Sequence, residues 1–156
     1  MQLKKLILLF FVVFLGKFSF AQQEVQLSSE EVEMYSRHSE QIIKYLEGTL
    51  NFLGDKSEVT SEKDIIINES FLKVFVDENV QIEDDLDEAR EIPLSKDVQA
   101  YLKDVEFFYK EVVFNFEINS VENFVNEKGQ VYFKASVNRN LKGITIADDT
   151  IDNNQI

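Results

Sequence analysis

Hydrophobic and polar positions divide the chain into stretches of different period. Residues 6–15 (LILLFFVVFL) are apolar throughout. From Val32 one stripe recurs at steps of three and four through Tyr35, Ser39, Ile42, Leu46, Leu50 and Leu53, all apolar except Ser39, with Ile43 widening it. That spacing predicts an amphipathic helix over about 29–53. Ser28 and Glu31 have capping-box spacing at its start, and Gly54 stands where a C′ glycine would end it. A shorter helix is expected from Thr60 or Ser61, carrying Ile65, Ile66 and Ile67, although three isoleucines in a row suit a strand equally.

From Leu72 the period changes to two. Leu72, Val74 and Val76 alternate with Lys73, Phe75 and Asp77, and after a turn at 77–79 the pattern resumes at Val80 and Ile82. A hairpin or bent strand is the expected outcome. Residues 83–91 (EDDLDEARE) read as an acidic connector. Ser95 is then the expected N-cap of a third helix, with Val98, Tyr101, Leu102 and Val105 on one face. The remainder is strand-like. Residues 112–118 alternate, 121–125 form a second run, and Asn126-Glu127-Lys128-Gly129 is a turn with glycine in the left-handed position. Val131, Phe133, Ala135 and Val137 mark a third strand, and residues 141–146 a fourth. The fold class expected is α+β: a long N-terminal helix and two shorter helices packed on a curved antiparallel sheet.

The apolar opening is too short to be a spanning helix, which needs about 20 apolar residues. Lys4 and Lys5 precede it, Gly16 and Lys17 interrupt it, and Ser19-Phe20-Ala21 follows with small residues at −3 and −1. Residues 1–21 therefore read as a cleavable bacterial-type signal peptide. The exported chain would begin at Gln22 and be periplasmic or secreted, with no stable membrane anchor after cleavage. Residues 22–28 form a short lead, 29–147 a single domain, and 148–156 a polar tail that either frays or is cut from a longer protein.

Composition narrows the partners. The whole chain carries a net charge of −13, and loss of the signal with its Lys4, Lys5 and Lys17 makes it more acidic still. Such a balance argues against nucleic acid and against anionic membrane surfaces. Five Tyr and most of the 14 Phe fall after residue 21, so an acidic disordered chain is not expected either. There is no cysteine, which excludes disulfides, cysteine-type zinc sites, a thiol nucleophile and a lipidated anchor.

The order long helix, short helix, strand or hairpin, third helix, then long antiparallel strands resembles the nuclear-transport-factor-2-like superfamily across roughly residues 29–146. A cystatin-like arrangement is the simpler neighbour. The resemblance lies in element order and in no motif. It implies a cone-like sheet wrapped on the first helix, with a pocket at the wide end. The superfamily closes its sheet with a final long strand, which residues 148–156 do not suggest.

Few residues offer chemistry. His38 is the only histidine, so no histidine-based metal cluster or triad can be built, and a solvated helix flank is its expected place. Tyr35 and Tyr45 lie on the first helix, where a phenol could join a carboxylate in an apolar pocket. Asp104 and Glu117 fall on polar sides, however, and Tyr35 is expected as a core aromatic. The acidic run Glu83, Asp84, Asp85, Asp87 and Glu88, and the segment Asp148-Asp149-Thr150-Ile151-Asp152, lack the glycine of a calcium loop. Solvated charge is expected in the former. The segment Arg139-Asn140-Leu141-Lys142-Gly143 is a basic spot, read as a strand-end turn or as a hold for a carboxylate. No phosphate loop, nucleophile elbow or zincin motif occurs.

No catalytic, cofactor or metal site is therefore expected. The leading expectation is a non-enzymatic exported domain that binds another protein, or itself, through a sheet edge. A small-ligand or isomerase-like cone protein and a calcium-dependent module are the alternatives.

Overall fold

The computed structural model describes residues 26–86 and 91–155. The expected signal peptide, and Asp87 and Glu88 of the acidic run, lie outside the described residues. The first helix, α1 (Ser29–Gly54), opens on the capping box that its sequence predicts. The Ser28 hydroxyl accepts from the Glu31 N–H at 3.3 Å, and the Glu31 carboxylate accepts from the Ser28 N–H at 2.8 Å. The Ser28 hydroxyl also donates to the Glu31 carboxylate at 2.8 Å, and these two bonds from the Ser28 N–H and hydroxyl hold that carboxyl below its ordinary pKa. Along α1 the apolar stripe is half-buried at Ile42, Ile43 and Leu46 and buried at Leu50 and Leu53.

Gly54 is the last residue of α1 and not a left-handed C′ residue; Asp55 is the cap. Close approach explains the glycine, because a Cβ there would stand 2.0 Å from Val112 Cγ1. A second helix, α2 (Thr60–Asn68), buries Lys63 and Ile67, and leaves Ile65 exposed. The buried Lys63 ammonium donates to the carbonyls of Leu53 at 2.9 Å and of Asp55, at the C-terminal end of α1. Burial pushes that ammonium below its ordinary pKa, while cationic placement there still suits the helix dipole.

The hairpin expected over 72–82 does not form. Ser70–Lys73 is a 3-10 turn, Phe71 is buried and Val76 is 86% exposed. The Phe75 N–H bonds back to the Phe71 carbonyl at 2.9 Å, so the effective spacing is the helical step from Phe71 to Phe75. Only β1 (Gln81–Glu83) is extended, and it pairs antiparallel with β2 (Ser95–Asp97). Ser95 thus lies in a strand and caps nothing. Helix α3 (Val98–Phe108) follows Asp97 and buries Val98, Tyr101, Leu102 and Val105, the face expected.

The four expected strands at the C-terminal side are two long ones. β3 (Tyr109–Val125) and β4 (Val131–Thr145) pair over their length, turning at Asn126–Gly129, where Gly129 has φ 75°. The register shifts between Ile118 and Ser120, so one extra residue of β3 changes which parity faces inward. That change of parity resembles a strand break in the sequence. The expected polar tail is also a strand: β5 (Thr150–Gln155) pairs antiparallel with Arg139–Ile144 of β4. The sheet order is β3-β4-β5. Its inner face contributes Val112, Phe114, Phe116 and Leu141 to a core shared with Leu50, Leu53, Phe71 and the α3 face. The architecture is α+β, with helices on an antiparallel sheet.

Candidate functional site

The residues that the sequence singles out do not converge. His38 lies on the exposed side of α1 near Glu30, Glu33, Met34, Arg37 and Gln41. Tyr35 is not a core aromatic: it is 43% exposed, and its ring lies 5.7 Å from that of Phe133. Tyr45 is exposed beside Lys73, whose ammonium is 6.0 Å from the ring centroid. Glu117 points to solvent. Among the described residues no three histidine or carboxylate side chains gather as a metal site.

In the acidic run Glu83 is exposed as expected, but the described residues that follow it are not a solvated connector. Asp84 and Leu86 are buried, and Asp84 pairs with Lys96 at 2.7 Å. Lys96 also pairs with half-buried Asp104. Burial alone would lower the Lys96 pKa, but its bonds to Asp104 and Asp84 outweigh this and raise it. Asp85 accepts from the Tyr101 hydroxyl at 2.9 Å and pairs with Arg139 Nε at 2.8 Å. Arg139 Nη2 adds a bond to the Asp85 carbonyl at 3.2 Å, while Nη1 has no acceptor among the described residues. Burial first, then the neighbouring Asp85 charge, raises the Tyr101 pKa far above the ordinary phenol value.

Residues 84–86 are therefore strapped over the inner sheet face, where the resemblance to a cone would place a pocket. The basic spot 139–143 is likewise no strand-end turn. It lies within the β4–β5 pairing, from Arg139 at its end inward, with Arg139 buried on one face and Lys142 exposed on the other, 3.1 Å from Asp152. The two cations cannot act together.

What the structure adds is a pattern of guarded and open edges. An unpaired strand edge exposes a row of N–H and C=O groups that can template another strand. Along β3 that row is met by side chains of α1. Asn51 Nδ2 donates to the Phe114 carbonyl at 3.0 Å, and Asn51 Oδ1 accepts from the Phe114 N–H at 2.7 Å. One turn toward the N-terminus Glu47 accepts from the Phe116 N–H, and a turn further Lys44 donates to the Phe116 carbonyl at 2.7 Å. A helix here imitates a neighbouring strand. On the other side of the sheet, β5 covers β4 as far as Arg139.

Among the described residues the α1 contacts reach Phe116 and the β5 pairing reaches Arg139, and these two face each other across β3 and β4. Beyond them, residues 118–125 and 131–138 form a two-stranded ribbon, and no described strand pairs with either outer edge. Its outward face carries Phe124 and Tyr132, stacked at 5.6 Å and 39% and 48% exposed. Its inward face offers half-buried Val131, Phe133, Ala135 and Val137. On an acidic chain the ribbon is nearly neutral, because Glu122 and Lys134 are its charged residues and lie opposite one another. Searches of protein-family models, curated proteins and solved structures return no match to this chain.

Proposed function

We propose that this chain is an exported, non-enzymatic binding module that takes up a further β-strand, from another protein or a second copy, along its distal ribbon. The single observation that carries the reading is the end of the α1 contacts at Phe116, beyond which no described strand pairs with the outer edge of β3. Strand addition obtains affinity from main-chain hydrogen bonds and selectivity from alternate side chains, and the ribbon offers both. The exposed Phe124–Tyr132 pair supplies an aromatic anchor of the kind that interfaces favour. Export rests on the pattern of residues 1–21. The α+β element order remains compatible with a nuclear-transport-factor-2-like or cystatin-like origin, and the strap at residues 84–86 weighs against an open cone pocket.

The test places a photo-crosslinking residue at Tyr132 in cells that make the protein, with the same residue at Asn115 as control. The expected result is a discrete adduct at 132, lost when Asn123→Pro removes a donor from the outer edge of β3. Equal adducts at both positions, or adducts untouched by the proline, would overturn the reading. Mass spectrometry of the recovered protein checks export: a new N-terminus at Gln22 is expected, and a retained leader would refute it.

A further inference from the structure

The inner face of the sheet carries a second feature, independent of the ribbon. Three side chains from three elements reach the strap: Tyr101 of α3 and Arg139 of β4 meet Asp85, and the Tyr109 hydroxyl of β3 donates to the Leu86 carbonyl at 3.2 Å. They are deeply buried, with Arg139 7%, Tyr101 5% and Tyr109 1% exposed. A buried guanidinium is paired best by a carboxylate lying in its plane, through two parallel bonds. Asp85 does not pair in that way. Its Oδ2 stands 2.8 Å from Arg139 Nε but off the N–H direction, which makes an ion pair without an aligned hydrogen bond. Nη2 meets the Asp85 carbonyl and not its carboxylate, and Nη1 has no acceptor among the described residues. Buried polar groups are nearly always bonded, so an arginine short of acceptors marks a place where a better partner fits.

We propose that Arg139, Tyr101 and Tyr109 form a binding site for a small carboxylic acid with an apolar body, and that residues 85–86 fill it as a stand-in. Asp85 takes the place of the ligand's carboxylate, and buried Leu86 that of its body. The apolar body is part of the assignment because a chain of net charge −13 repels a bare anion at long range.

The attachment of the strap allows the exchange. Its stem is β1 paired with β2 over three residues, and a hairpin so short is marginal alone. Asp84 is tied within that hairpin, by Lys96 at 2.7 Å and through its own N–H to the Leu94 carbonyl at 2.6 Å. Asp85 and Leu86 can therefore leave the sheet face while Asp84 keeps those contacts. Being tethered, Asp85 competes as if present at about millimolar concentration, the scale for short flexible linkers. Acetate offers only the carboxylate and should enter the site only when Asp85 is gone. Hexanoate also replaces Leu86 and should compete with the intact strap.

The test sets hexanoate against hexanamide, which has the same chain without the charge, and against equal sodium chloride. In the unmodified protein hexanoate should shift the Arg139 Nε resonance until it saturates, and hexanamide should not. The cysteine-free sequence allows a second reading of the strap. Hexanoate should raise the alkylation rate of the thiol in a Leu86→Cys variant several-fold, and adding Arg139→Met should remove that rise. Acetate should raise the melting temperature of Asp85→Ala, but not that of the unmodified protein or of Asp85→Ala with Arg139→Met. No response to hexanoate in either strap measurement, or an equal response to hexanamide, overturns the site. Acetate rescue of Asp85→Ala beside an unresponsive intact strap makes Asp85 a fixed part of the core, and overturns the exchange. None of these outcomes bears on the ribbon, which stands or falls on the Tyr132 cross-linking test.

Discussion

Replacing Asn51 by leucine probes the edge guard with almost no change in volume. Asn51 supplies the donor for the Phe114 carbonyl and the acceptor for the Phe114 N–H, across 63 residues of sequence. Leucine supplies neither. Each lost bond removes about 1 kcal/mol, and a buried peptide group left unpaired costs about 1–3 kcal/mol more. Both bonds are only part-buried, and water reaching the edge offsets some of that loss. The expected destabilisation of Asn51→Leu is therefore about 2–3 kcal/mol. At about 2–4 °C per kcal/mol for a chain of this size, the melting midpoint should fall by about 4–12 °C. Urea unfolding followed by circular dichroism measures the first quantity, and hydrogen exchange at the Phe114 amide shows where it acts. Asn51→Asp keeps the acceptor and should lose less. A loss below about 0.5 kcal/mol, the level of an ordinary surface substitution, would refute the reasoning. An unchanged exchange rate at Phe114 would do the same.

Other outcomes follow from neighbouring geometry. Gly54→Ala forces a methyl into Val112 Cγ1 and should cost about 1–3 kcal/mol in urea unfolding, with Val112→Ala in the same chain recovering much of it. Asp85→Ala strands Arg139, which is 9% exposed, and should cost about 2–4 kcal/mol; Arg139→Met added to Asp85→Leu should cost less than the two single changes combined. Tyr101 and Lys96 both have folded pKa values raised above their unfolded ones, so their contribution is complete below about pH 10 and lost as pH climbs toward the folded values. Stability measured from about pH 9 to 11 should therefore fall, less steeply in Tyr101→Phe; a flat profile in the parent protein would contradict this.

The helices were the legible part of this fold. The Ser28–Glu31 box and the stripe to Leu53 predict α1 within a residue of its observed end, and the α3 face at Val98, Tyr101, Leu102 and Val105 is buried as its spacing requires. Where the sequence misleads, a long-range partner decides. Asp84 and Asp85 read as solvated because nothing local announces Lys96 and Arg139 as their counter-ions. The apparent alternation from Leu72 leaves out Phe71 and sets Phe75 in its polar phase, and burial does not follow it. At Ile118–Ser120 the inward parity changes without interrupting the strand, and parity alone cannot tell a bulge from a turn. The candidate site was the least legible. Lys44, Glu47 and Asn51 recur at helical spacing beside the apolar stripe, so the sequence marks a polar border on α1. It does not say that a strand edge lies against it.

The guard on β3 also has an order in time. A polypeptide is synthesised from its N-terminus, and α1 needs only contacts between near neighbours to begin winding. Asn51 precedes its backbone partner by 63 residues and Lys44 precedes its own by 72. The helix that shields the edge is thus made before the edge exists. Phe114 and Phe116 can be met as they emerge, leaving little interval in which this stretch could seed aggregation. Residues 118–138 come later, and among the described residues no helix side chain bonds to their backbone. For them, protection during assembly must come from the quick closure of their own hairpin at Asn126–Gly129.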